Sequence, residues 1–255
     1  MVSILTNQVA IMLLLILAGM LCYRLHLLTD RGVKELSGIV LQVVNPIVIL
    51  LAYHRELELR LVQNLGWTFL LSAVAMGAGI GLATLLIWTH GIMSVTGSRD
   101  PRSLLHVLRS PAILAIPLGM ILFFGRITLP GFLSETLEQI AGMNTPLAML
   151  VAGATIAQGS LKQALLQKRV YLIAGYKLLL MPLLTIGMFF ALPLDPAVFT
   201  TVVLSMAAPT AITCTLFAVQ NDKNAEYASQ IFAISTVFSL LTLPVVGVLL
   251  EAIEK

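Results

Sequence analysis

Apolar residues fall in long, nearly unbroken runs along the chain, and polar residues gather in short clusters between them. Read from one charged stop to the next, the runs predict spans at 8–25, 33–53, 65–88, 112–124, 141–158, 171–192, 198–219 and 228–250. Most approach the roughly 20 apolar residues that a helix needs to cross a bilayer. No segment alternates with the period of a strand, and lipid leaves no backbone group unpaired, so helices are the expected element. The fourth run is short, is interrupted by Pro117 and Gly119, and is read as extending back through 104–108. The third is overlong. Its apolar character continues through His90 to Val95, and a helix of about 28 residues would reach about 42 Å, beyond the hydrocarbon core.

Composition agrees with that pattern: 58% of the 255 residues are hydrophobic and 11% charged, which excludes a water-soluble fold. The expected class is an all-α integral membrane protein of about eight transmembrane helices, with the lipid bilayer as its surroundings. The first run has no basic segment before it and no small-residue cleavage pattern after it, so it reads as a retained span rather than a leader. Basic residues lie in loops without aromatic neighbours, so no nucleic-acid partner is expected. Their distribution sets orientation instead. Arg24, Arg31 and Lys34 follow the first span; Arg99, Arg102 and Arg109 follow the third; Lys162, Lys168 and Arg169 follow the fifth. The alternate loops and the C-terminus are neutral or acidic, with Glu135, Glu138, Asp195, Glu251 and Glu254. This places the chain in a cell membrane as a multi-pass protein with both termini non-cytoplasmic. The loop with Asp222, Lys223 and Glu226 is cytoplasmic by parity yet slightly acidic.

Little points to catalysis, a metal or a cofactor. An enzyme would want converging His, Asp, Glu or Cys, whereas His26, His54, His90 and His106 are scattered over loops and span ends. Cys22 and Cys214 adjoin or lie within apolar runs and read as small core residues. The glycines of 77–81 sit inside an apolar run with no strand before them, so they read as helix packing rather than a nucleotide loop.

Candidate binding residues cluster around prolines. The segment 44–52, containing Asn45 and Pro46, matches 144–152, containing Asn144, Thr145 and Pro146; Pro, Leu and Ala coincide, and Glu35 matches Glu135. Three helix steps separate the copies, so they cross in opposite senses, which is the arrangement of an inverted repeat. Each proline removes a donor and frees a carbonyl, and the adjacent amide and hydroxyl side chains can serve a ligand or repair the backbone. In the seventh span Pro209 stands at mid-membrane depth among small and hydroxyl residues, including Thr210 and Thr213. A break there would expose a half-helix N-terminus suited to an anionic group; a packing seam with a kink is the alternative. Lys177 lies well inside the sixth span, as a functional charge or as a snorkelling side chain.

Cys22-Tyr23-Arg24, Leu36-Ser37-Gly38, Asn45-Pro46, Ser110-Pro111 and the run from Ala208-Pro209 through Gln220-Asn221-Asp222 to Leu243-Pro244 together resemble the auxin efflux carrier family of secondary transporters. The resemblance covers both ends of the chain. It implies two inverted five-helix repeats, with the fourth and ninth helices broken and crossing at the substrate site. Here the third run passes directly into Trp88-Thr89-His90-Gly91, which resembles the end of the family's fifth helix. The fourth helix and most of the fifth are therefore expected to be absent, leaving a partial repeat of three helices over 1–97 and a five-helix repeat over 98–255. By resemblance Pro209 is the crossover proline, with Thr210 and Thr213 near the substrate and Asn45, Pro46, Asn144, Thr145 and Pro146 on flanking helices. Lys177 would suit a carboxylate. The implied function is alternating-access transport, of the efflux or permease type, of a small organic anion such as a dicarboxylate or an auxin-like carboxylate. A proton or sodium ion is the expected coupling partner. The alternative is a truncated, non-transporting membrane protein of the same family, and the sequence leaves open whether two copies form a homodimer.

Overall fold

The computed structural model describes residues 2–54, 64, 66–78, 111–127, 129–159, 167–192 and 194–253. The junction around Trp88, the back-extension at 104–108 and the basic loops at 99–109 and 162 lie outside them, as do Gly79 and Gly81.

Helix α1, Val2–Arg24, is mostly apolar after Gln8 and ends at a basic residue, the charge that suits a helix C-terminus. A tight turn with His26 in the left-handed region leads to Thr29, whose hydroxyl accepts from the Gly32 amide and so caps α2, Asp30–Ile39. α2 buries Val33 and Ser37 and turns Arg31 and Glu35 outward as an exposed pair at 2.9 Å. A π turn at Val40–Val44 follows, in which the Asn45 amide reaches back to the Val40 carbonyl, and α3 then runs Asn45–Ala52. Pro46 has no N–H to offer, and the wider turn absorbs that loss.

The remaining helices are α4 Gly66–Ala78, α5 Pro111–Phe124, α6 Gly131–Gly142, α7 Asn144–Gln158 and α8 Lys168–Gly175. A second π turn, Tyr176–Leu180, precedes α9 Met181–Phe189. Its chemistry repeats the first: the Met181 amide reaches the Tyr176 carbonyl just before Pro182. The chain ends in α10 Pro196–Ala207, α11 Ile212–Gln220 and α12 Ala225–Ile253.

Among the described residues five helical stretches are long and apolar enough to cross a membrane, and six if the bent pair α10 and α11 is one span. The expected eight also drew on residues 79–88 and 104–108, which lie outside the described residues. The described part of α5 has 14 residues, about 21 Å at the α-helical rise, and its predicted back-extension lies outside the described residues. α4 is comparably short, and the rest of its predicted run lies outside the described residues. The fifth span begins earlier than predicted, at Gly131, because helix continues through exposed Glu135 and Glu138.

Burial is arranged for lipid: Leu14, Phe69, Leu172 and Leu241 are each more than 60% exposed, whereas Ser37, Thr155, Thr185 and Ser235 are fully buried. Two apolar cores form. One joins Val9 of α1 and Leu71 and Ala75 of α4 to α9, α10 and the C-terminal half of α12. The other joins Ile16 of α1 to α2, the first π turn, α7, Leu216 of α11 and Phe232 of α12. α1 and α12 contribute to both.

Close approach of α1 and α7 depends on two glycines, since a β-carbon at Gly19 would overlap the Leu150 carbonyl and one at Gly153 the Ile16 carbonyl. α3 and α5 pack against each other with the Tyr53 ring seated on Gly119.

Candidate functional site: the broken helix at Pro209

α10 starts firmly. The Asp195 carboxylate accepts from the Ala197 amide at 2.9 Å, and Pro196 takes the first position, where no N–H is needed. The helix stops at Ala207 because Pro209 forces the residue before it into extended backbone, and Ala208 lies at φ −61°, ψ 147°. Ala211 is extended as well, α11 begins at Ile212, and the two half-helices are bent by 48°.

A break inside a membrane leaves polar backbone groups that need partners. In an unbroken helix the Thr210 amide would donate to the Met206 carbonyl. Here the two part company. The Thr210 amide donates to Ser235 Oγ at 3.2 Å, and Met206 O accepts from Lys177 Nζ at 3.0 Å. Ser235 Oγ donates to the Phe232 carbonyl at 2.9 Å, so the 2.9 Å contact with Thr210 Oγ1 is a bond donated by the threonine. The break is thus held by a hydroxyl from α12 and an ammonium from the second π turn. Nothing in the side chains caps the start of α11, which leaves the positive end of its dipole facing the break.

The predicted residues divide into two groups. Lys177 turns inward onto the end of α10, rather than snorkelling toward the basic membrane face. Thr210 lies in the break, with Thr213 half-buried in the first turn of α11. α11 packs on the first π turn, which leads into Asn45 and Pro46, and on α7, which starts at Asn144, Thr145 and Pro146. Asn45, Pro46, Asn144 and Thr145 are half-buried and Pro146 is exposed. Among the described residues no side-chain hydrogen bond ties Asn45 or Asn144 to its own backbone; the π turn, not the amide, accommodates Pro46. Cys214, read as a core residue, is exposed.

Ser235 was not among the predicted site residues. Its signal is the hydroxyl-rich face of α12, where Ser229, Ser235, Thr236 and Ser239 are all fully buried in an otherwise apolar helix.

A second polar cluster lies beyond the C-terminal end of α11. Lys34 Nζ pairs with Asp222 at 2.6 and 2.8 Å, Gln220 donates to the Lys34 carbonyl, and buried Ser37 donates to the Leu216 carbonyl at 2.9 Å. Asp30 accepts from Tyr23 at 2.7 Å and Gln158 at 2.9 Å. Together Tyr23, Asp30, Lys34, Gln158, Asp222 and Lys223 border an open cavity of about 360 Å³.

Long lipid-facing helices around a span broken at mid-length define a multi-pass helical membrane protein. Residues 100–246, more than half of the chain, match the family described as "Membrane transport protein", and the chain belongs to that family, which includes the auxin efflux carriers. An "Uncharacterized transporter" of Methanothermobacter thermautotrophicus is 28% identical over 170 residues, covering 66% of this chain and 55% of the relative. The chain spans about half of that relative's length.

Proposed function

We propose that the protein is a secondary carrier of a small organic anion, such as a dicarboxylate or an auxin-like carboxylate, working by alternating access at the broken helix. One observation carries the reading: α10 and α11 meet at 48° with an uncapped helix N-terminus facing the gap. Backbone amides at a helix start are preorganised for a carboxylate. Half-buried Thr210 and Thr213 add hydroxyl groups, and Asn45, Asn144 and Thr145 begin the helices that flank α11. In this reading the chain sits in the cell membrane with both termini outside the cytoplasm.

The inverted repeat belongs to the same proposal. Gly19 and Gly119 stand at the same offset as Pro46 and Pro146, and the packing supports the pairing. α1 crosses α7 at Gly19, and α5 crosses α3 at Gly119, so each glycine helix meets the helix that follows the opposite proline.

Uptake of labelled malonate, succinate and indole-3-acetate into proteoliposomes tests the carrier. Saturable uptake above protein-free vesicles supports it; uptake equal to empty vesicles for every carboxylate contradicts it. The second reading, a truncated membrane protein of this family that does not transport, draws on the third apolar run passing directly into Trp88-Thr89-His90-Gly91.

A further inference from the structure

We propose that Lys177 is a tethered cation: its ammonium fills the seat at the end of α10 where a free metal ion would otherwise sit, so that the carrier works without sodium. The inference rests on the carrier reading above.

The seat exists because of Pro209. The C-terminal end of a helix carries partial negative charge, and in carriers with broken helices such carbonyl ends coordinate sodium. Here Pro209 cannot donate to Ser205, and the Thr210 amide is diverted to Ser235, so the Met206 carbonyl is released from the helix ladder. Lys177 Nζ occupies that carbonyl at 3.0 Å. An ammonium has the charge of a sodium ion and three donors for carbonyl oxygens, but it is covalently held and cannot be exchanged.

Two further observations favour this role. The side chain is placed by the π turn at Tyr176–Leu180, which is set by Pro182 and therefore does not depend on a ligand. Nor does the lysine have a carboxylate partner among the described residues. α8, α9 and their π turn carry no acid, α10 carries none, and those of α12 are Glu226 and Glu251, near its two ends. The lysine is not half of an ion pair, and the negative feature it satisfies is the helix end.

The test compares the full chain in nanodiscs in sodium chloride and in choline chloride. The wild-type unfolding midpoint is expected to be the same in both salts. Lys177→Met is expected to lose several degrees in choline and to recover part of that loss in sodium, because the seat is now open. Lys177→Arg is expected to behave as wild type, and Lys177→Gln serves if the methionine variant does not fold. A sodium-specific stabilisation of the wild type overturns the inference, as does a variant whose loss sodium does not recover. In proteoliposomes malonate uptake is expected to be equal in the two salts, and uptake that requires sodium also overturns it. Absence of any uptake counts against the carrier reading instead, and the salt response of the variants still decides the role of Lys177.

Discussion

The Ser235 hydroxyl accepts both the amide and the hydroxyl of Thr210, so one buried oxygen on α12 does the work of the helical carbonyl that Pro209 displaced. Ser235→Ala should leave the Thr210 amide without an acceptor in a water-poor site, at a cost of about 1–3 kcal/mol. Unfolding of the purified protein in a mild detergent measures it. Thr210→Val removes only the hydroxyl and should cost less, and the double variant should fall short of the sum, because both substitutions act on one network. Strict additivity would show that the two residues are not coupled.

Pro209→Ala is expected to separate stability from transport. With an N–H restored, α10 and α11 can approach a continuous helix, and the midpoint should hold or rise. Anion uptake should be lost as the break closes. Retained uptake at the wild-type rate would show that the bend is not the transport site.

The seam between α1 and α7 makes a purely steric prediction. Gly153→Val would drive a branched side chain into the Ile16 carbonyl, and overpacking of this kind costs about 1–3 kcal/mol or more. The folded fraction on size-exclusion chromatography should fall sharply. Gly66→Ala, where a β-carbon meets nothing within 4 Å, should leave it unchanged.

At the polar cluster next to α11, burial should outweigh charge. The side chains of Lys34 and Asp222 are 44% and 78% exposed, and exposed pairs contribute about 0–1 kcal/mol with screening by salt. Asp222→Asn should therefore produce a small loss that disappears in high salt. Ser37→Ala removes a fully buried hydroxyl from the Leu216 carbonyl. It should cost more than the charge change, by thermal unfolding at either salt concentration.

Most of the architecture was legible because lipid enforces long apolar runs with charged ends. Pro209 marked the break, one of the two readings its small and hydroxyl neighbours left open. Span limits were less legible: α6 carries Glu135 and Glu138 yet stays helical, so the fifth span starts earlier than its apolar run does. The π turns were invisible, since Val40–Val44 and Tyr176–Leu180 have no composition of their own and arise only from a proline downstream. For the same reason Lys177 could be placed in a span but not aimed. Ser235 and Met206 escaped notice because their roles depend on how α12 and the second π turn lie against the break, and that register is a tertiary property.

α10 is packed into one apolar core and α11 into the other, while α1 and α12 pass through both. The 29 residues of α12 therefore act as a spine, and the backbone between Ala207 and Ile212 as a joint laid against it. If the proposed carrier rocks, a pivot here would spare both cores, since Ala208 and Ala211 are extended and the Thr210 amide is held by Ser235 rather than by the helical ladder. In that proposal the proline that interrupts one helix would also set where the molecule bends.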